Sequence, residues 1–286
     1  MAGTDASEYN PFSRRDEHSR NALVGYKIGT AISWLLLVIT SIYYTFRAPG
    51  EGHKPRRTIW GQNSAHHTPF ALNSVITSIY WIVLYLLQLG YSWHLYSSET
   101  TYVAAAANVG SHFITHNLLI FGFIHLWVRS HFWLALLLIV VNFFNLSAAY
   151  FRHSTTPRTI HIATVSGPLA WNFVALYWVG AVAVGSHHIA ARIVANIFIW
   201  GILMYGGFFL AAYKDYTMGF NLSVLAAALG VGQFFTAVIA VQWIEAFIIM
   251  AILFLLSTAV ASGNTPFKRG QVVSEDAERA PLLADE

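Results

Sequence analysis

Long apolar runs separated by short polar breaks set the pattern of this chain. The runs cover roughly Gly25–Phe46, Ala71–Tyr96, Thr101–Trp127, His131–Phe151, Ile162–Gly185, Ala190–Ala212, Gly219–Thr236 and Ile239–Ala261. About 20 apolar residues cross the hydrocarbon core of a bilayer as a helix, so each run predicts a membrane span. The stretch from Gly219 to Ala261 is too long for one helix across a core about 30 Å thick. Dividing it near Ala237–Val238 gives two helices joined by a tight turn. The predicted fold is therefore all-α, a polytopic transmembrane helix bundle of about eight spans, or seven if that stretch stays whole. Residues 1–24 read as a flexible cytosolic tail, 25–261 as the transmembrane domain and 262–286 as a disordered cytosolic tail.

Polar positions inside the runs are few and patterned. At about 100° per residue, Thr101, Asn108, His112 and Thr115 share one stripe of the third run, with His116 at its margin; Asn117 and His125 point elsewhere. Hydrocarbon offers no hydrogen-bond partner, so this stripe must face protein or a watery cavity, which puts the third span at the centre of the bundle. The second run carries a stripe of Asn73, Thr77, Tyr80, Gln88 and Tyr91, and the fourth offers Asn142 and Asn145. These side chains either line a polar cavity or hold helices together by hydrogen bonds.

Composition narrows the function classes. Charged residues are only 10% of the chain, against about 25% in soluble domains, which places it in lipid. The chain has no cysteine, which removes disulfides, thiolate metal sites and cysteine nucleophiles. The net charge of +3 comes from bases outside the apolar runs, so they read as topology signals and lipid contacts, with no nucleic-acid partner. With eight spans, Arg14, Arg15, Arg20, Lys27, Arg152, Arg158, Lys214, Lys268, Arg269 and Arg279 share one side, and Arg47, Lys54, Arg56, Arg57, Arg129 and Arg192 the other. That bias puts both termini in the cytosol. The first run is of span length and follows a polar stretch, unlike a secretory leader.

The connections are short, which predicts that consecutive helices pack side by side. The exception, Arg47–Phe70, has three prolines and reads as a solvated loop with incidental histidines at His53, His66 and His67. Ser166-Gly167-Pro168 reads as the start of the fifth helix, since proline suits a first turn. The tails hold two sorting patterns. Asn10-Pro11-Phe12 resembles the turn taken up by endocytic EH-type domains, and Glu278 with Leu282 and Leu283 fits the acidic dileucine pattern that adaptors bind.

His112 and His116, one helical turn apart, suit one metal ion or half of a haem ligand set, but further ligands are needed and only Glu245 is an acid well inside a run. No metal or cofactor is therefore expected. A membrane hydrolase built on Ser111, His112, Thr115 and His116 would lack an aspartate to orient its base. The segment after Glu245 resembles the proton-carrying helix of rotary ATP synthase c subunits, yet the glycine-rich partner helix and polar hairpin are absent, so the chain is not a c-ring subunit.

Taken together, NPFSRR, RRTIWGQN, FALNSVITSIYWIVLYLLQLGY, NFFNLS, SGPLAWNFVALYW and YKDYTMGFNLSVLAAALGVGQF resemble a fungal family of multi-pass membrane proteins of unknown function, over about residues 10–262. Some members carry an ATP synthase F0 label. The resemblance implies a fungal source and a membrane location, and brings no catalytic or ligand residues. The expectation is transport or channel-like passage of a small solute or ion along a cavity lined by Asn73, Thr77, Gln88, Asn108, His112, Thr115, His116, Asn142 and Asn145. The alternatives are a membrane-embedded enzyme or metal/haem protein using His112 and His116, and a non-catalytic structural or trafficking protein. The expected partners are the lipid bilayer and sorting adaptors, and the expected location is the vacuolar or another endomembrane, with the plasma membrane the alternative.

Overall fold

A computed structural model of the protein describes residues 10–15, 17–50, 56–153, 156–185, 188–236 and 241–263. Eight of its helices are long and apolar enough to cross a membrane: Arg20–Phe46, Ser74–His94, Thr100–Val128, Phe132–Arg152, Arg158–Val184, Ala190–Ala212, Tyr216–Thr236 and Gln242–Ala261, numbered here as the first to eighth spans. The last pair resolves the count. A Cβ on Gly219 would meet Ser257 and one on Gly230 would meet Phe247, while Ser223 Oγ donates to the Met250 carbonyl at 2.9 Å. As residue numbers rise along one helix they fall along its neighbour, so the seventh and eighth spans are separate and antiparallel. The chain is a multi-pass membrane protein by this architecture. The outward faces carry exposed Ile32, Ile39, Leu86, Phe144 and Leu255, the apolar surface that lipid accepts.

Burial shifts the centre of the bundle away from the expected helix. The third span has 50% of its apolar window buried, whereas the fifth and seventh each have 61%. The third packs on the first and fourth, the fifth on the fourth and seventh, and the seventh on the second, sixth and eighth. In the third-span stripe Asn108, His112 and His116 are buried, Thr115 is half-buried and Thr101 exposed, while the fifth and seventh spans are buried through small residues such as Ala163, Ala170, Ala175, Ala226 and Ala228. Such residues let backbones approach closely and carry no polar signal.

Consecutive helices do not all pack side by side as short loops predicted. The fifth and sixth spans, joined by a short break, bracket an opening of about 700 Å³, and another of about 640 Å³ lies between the first and second spans, which the long connection joins. The connection before the second span borders both openings. Instead of a solvated loop it contains the helix Ile59–Ala65, capped by Thr58 Oγ1 accepting from Gly61 N–H at 2.9 Å. Gln62 and Asn63 are buried. Asn63 Nδ2 donates to the Leu72 carbonyl, and its Oδ1 accepts from Leu72 N–H and from Trp178 Nε1 at 2.8 Å. Gln62 Nε2 donates to the Trp127 carbonyl and to Ser130 Oγ. The segment is thus a wedge that spreads the bundle at this face. His66 Nδ1 bonds the Gln62 carbonyl and its ring stands edge-on to Phe132, while His53 lies outside the described residues.

The fifth helix does not start at Pro168. It begins at Arg158 and passes through a π-helical turn, Ile162–Ser166, before Gly167. Gly167 N–H reaches back five residues to the Ile162 carbonyl, so the turn widens just where Pro168 supplies no N–H. Tyr80 OH, from the second span, donates to the Gly167 carbonyl at 2.7 Å. A neighbouring helix thus supplies a donor at the irregular turn, the condition under which proline is tolerated inside a span.

Candidate functional site

Between the third, fourth and fifth spans, side chains from three helices form a polar column. Asn145 Nδ2 donates to the His112 carbonyl at 2.9 Å, which leaves Asn145 Oδ1 to accept from His112 Nδ1 at 2.8 Å. His112 Nε2 is then an acceptor. One turn deeper, Asn142 Nδ2 lies 2.7 Å from Asn172 Oδ1 and 3.0 Å from His116 Nδ1, and Asn172 Nδ2 donates to the Ile139 carbonyl at 2.9 Å. Asn142 Oδ1 also lies 3.3 Å from His116 Nδ1, but the shorter contact makes that nitrogen an acceptor and places the His116 proton on Nε2. Neither Nε2 atom, nor that of His153, has a hydrogen-bond partner among the described residues, although all three are buried. The column therefore offers an acceptor at His112 and a donor at His116, one turn apart.

The N-terminal segment lies across the mouth of this column. Asn10 Oδ1 accepts from Phe12 N–H at 2.9 Å, forming the turn expected of Asn-Pro-Phe, and the Pro11 carbonyl accepts from Ser111 Oγ at 2.7 Å. The Phe12 ring sits 4.9 Å from the His112 ring, and the His153 ring stands edge-on to His112 at 5.8 Å. Asn108 then clamps the chain in both directions: its Oδ1 accepts from Arg15 N–H and its Nδ2 donates to the Arg15 carbonyl, each at 2.9 Å. His18 Nε2 meets the same Asn108 Oδ1 at 3.0 Å. Burial pushes His153 down to about 4, with His112, Arg14 and Arg152 adding to the fall and a hydrogen bond to the Phe12 backbone opposing it. His18 is also lowered, first by burial, against its bond to Asn108.

The nine cavity positions named from the sequence separate in space. His112, His116, Asn142 and Asn145 form the column, Asn108 holds the tail, and Thr115 is half-buried beside them. The second-span residues lie elsewhere. Asn73 caps its own helix by accepting from Val75 and Ile76 N–H, Gln88 Oε1 accepts from Trp34 Nε1 at 3.2 Å, and Thr77 lines the opening between the first two spans. Among the described residues no group of three or more histidine, aspartate or glutamate side chains is arranged to hold a metal ion; His112 and His116 each turn Nδ1 to a different asparagine. Glu278, Leu282 and Leu283 lie outside the described residues.

Three participants carried no signal in the sequence. His153 stands in an ordinary loop, and Asn172 is one polar residue in a span otherwise without a stripe. Asp215, in the break before the seventh span, accepts from Tyr150 OH at 3.0 Å, Thr217 Oγ1 and Met218 N–H, and pairs with His161 Nε2 at 3.1 Å. Burial alone would raise its carboxyl, but the His161 bond and charge, then Thr217 and Met218, bring it down to about 2. Asp215→Asn is expected to lower stability by about 2–3 kcal/mol, the range for breaking a charge-assisted bond and a cap. A thermal-unfolding series in detergent measures it. Because the carboxylate is depressed, its contribution holds above the ordinary pKa of 3.8 and fades only as pH falls towards 2.

Residues 192–283 match the model of a family described as fungal protein of unknown function (DUF1774). The match covers the sixth to eighth spans and part of the tail, and it is consistent with the fungal, unknown-function family that the sequence resembles. No curated protein and no solved structure matches the chain.

Proposed function

We propose that the protein moves a small hydrogen-bonding solute through the layer formed by its third, fourth and fifth spans, in a transporter-like manner. The observation that carries this reading is the set of three buried imidazole Nε2 atoms, at His112, His116 and His153, unpartnered along one column. Buried polar atoms without partners are costly, and a chain of them at successive depths suits a molecule passing from one to the next. Arg14 and Arg152 act on the mouth electrostatically, which disfavours cations and favours a neutral or anionic solute. Asn10–His18 lies where it blocks entry, so the conformation described is a closed one.

The test is flux of small neutral and anionic solutes into proteoliposomes. His112→Asn keeps a donor at the Nδ1 position toward Asn145 and removes the Nε2 acceptor. It should reduce flux about tenfold or more at an unchanged yield of folded protein. Phe12→Ala should raise flux by unblocking the mouth. Absence of flux for every solute in both wild type and Phe12→Ala would end the transport reading and leave the column as a device that locks helices together.

The sorting reading rests on the Asn10-Pro11-Phe12 turn, which is formed as an adaptor would take it but has its Phe turned toward His112. Delivery to a vacuolar or other endomembrane would use this turn together with Glu278, Leu282 and Leu283. Deleting the C-terminal motif should send a tagged protein to the plasma membrane; unchanged placement counts against the motif.

A further inference from the structure

The opening between the first and second spans lies apart from the histidine column and has its own chemistry. Its walls are apolar and aromatic: Trp34 from the first span, Trp60 from the wedge helix, Trp81 from the second, and Trp171 and Trp178 at the back from the fifth. Among the described residues no charged side chain lines it. The rim residues Ile79, Ile82 and Leu86 are exposed on the lipid-facing side of the second span, so access is from the bilayer. Its volume of about 640 Å³ falls in the range that encloses a drug-sized molecule.

Two residues that line this cavity carry a buried polar atom with no partner among the described residues, Trp171 Nε1 and Thr77 Oγ1. Both residues are almost wholly buried, at 3% and 1% exposure, so water does not readily compensate them. Several other polar groups there have partners. Ser41 Oγ and Tyr85 OH bond each other at 2.7 Å, and Trp60 Nε1 donates to Ser78 Oγ at 3.1 Å. Trp171 meets Trp81 edge-on with ring centroids 4.9 Å apart, and Trp81 lies one helical turn along from Thr77. Thr77 and the Trp81 that Trp171 packs on both fall within about two turns of the start of the second span at Ser74. From Thr77 to Leu89, the deepest second-span position on the lining, a helix rises about 18 Å.

We propose that this cavity binds a sterol, with its hydroxyl at Thr77 and Trp171 and its ring system lying between the first and second spans. The indole N–H can only donate and the threonine hydroxyl can also accept, so one alcohol that both accepts and donates satisfies the two together. An acyl chain offers neither role, and a phospholipid headgroup would bring charge into an uncharged pocket. A lining with five tryptophans suits a rigid fused-ring body, which loses little conformational freedom on binding. The polar pair lies toward the start of the second span and the apolar lining runs on to Leu86 and Leu89, which matches the way a sterol lies in one leaflet, hydroxyl outermost.

The experiment is photolabelling of the purified full chain in phosphatidylcholine vesicles containing a photoreactive sterol. Labelled peptides should come from the first, second and fifth spans. Excess free sterol should abolish labelling, while the same sterol esterified at its hydroxyl, or a free fatty acid, should compete at least tenfold more weakly. Thr77→Val preserves shape and removes one polar group, and Trp171→Phe removes the other together with part of the ring; the combined variant should weaken competition by free sterol about tenfold. The comparison of free with esterified sterol uses the unaltered protein and so holds even if that variant misfolds. Equal competition by the ester or by fatty acid would overturn the proposal, as would labelling confined to other spans.

Discussion

Gly232→Ala is expected to cost about 3 kcal/mol or more, one of the two largest effects anticipated for a single replacement in this chain. A Cβ at that position would stand 2.5 Å from the Ala71 carbonyl oxygen, 2.9 Å from Asn73 N and 3.0 Å from the Leu72 carbonyl carbon. All three are backbone atoms, so no side chain can rotate away and the helix and the incoming segment must separate. Separation would also stretch the bonds beside the contact. Asn73 N–H donates to the Ala228 carbonyl at 2.8 Å, and Gln233 Nε2 donates to the carbonyls of Thr68 and Ala71. Overpacking costs about 1–3 kcal/mol and each lost hydrogen bond about 1 more. For a chain of this size the midpoint of thermal unfolding should drop by roughly 6–12 °C. Gly90→Ala is the matched control, because nothing lies within 4 Å of its added Cβ, and it should be neutral or slightly stabilising. Equal midpoints for the two variants would show that the Thr68–Asn73 segment is not locked against the seventh span.

That lock also shows which parts of the molecule were legible in the sequence. Hydropathy and length gave the spans because the bilayer imposes both, and the break near Ala237 was visible because 43 residues, from 219 to 261, exceed one crossing. The inward faces of the second and third spans were readable too, since Thr77, Gln88, Asn108, His112 and His116 recur at helical spacing and are buried. What periodicity does not encode is which polar residue meets which. Gln88 and Thr77 share a stripe with Asn73 yet face Trp34, an apolar opening and their own helix end. The wedge helix was missed because its short apolar content resembles a loop, and the cues were Thr58 as a cap and the buried amides of Gln62 and Asn63. The Phe12–His112 contact joins residues 100 apart in sequence, and no local rule reaches that far.

Acidification is expected to release the N-terminal segment from the mouth of the column. His153 in the docked state is held at about 4, mainly by burial, with His112, Arg14 and Arg152 as the surrounding cationic or titratable groups and the Phe12 backbone as its hydrogen-bond partner. With the segment lifted away the ring gains water and returns toward its ordinary value of 6.5. The freed state then binds more protons than the docked one between those values. The sign follows directly: docking is strongest above pH 6.5, weakens as pH falls toward 4, and changes no further below it. His18, lowered by burial and by Arg15, adds in the same direction. Between pH 7.5 and 5 the docking equilibrium should shift about tenfold, short of the limit set by the full difference because solvent reaches part of the mouth. The chain has no cysteine, so a single spin label at an exposed Glu17→Cys reports the segment without further changes. Its spectrum should turn mobile on acidification, and His153→Gln should remove most of that response, leaving the smaller part due to His18. A label equally immobile at both values, or a His153→Gln protein that responds like the parent, would mean that this histidine does not govern the docked tail. If it does govern it, solute flux through the column should rise over the same pH window, linking entry to the proton concentration on the side where the segment lies.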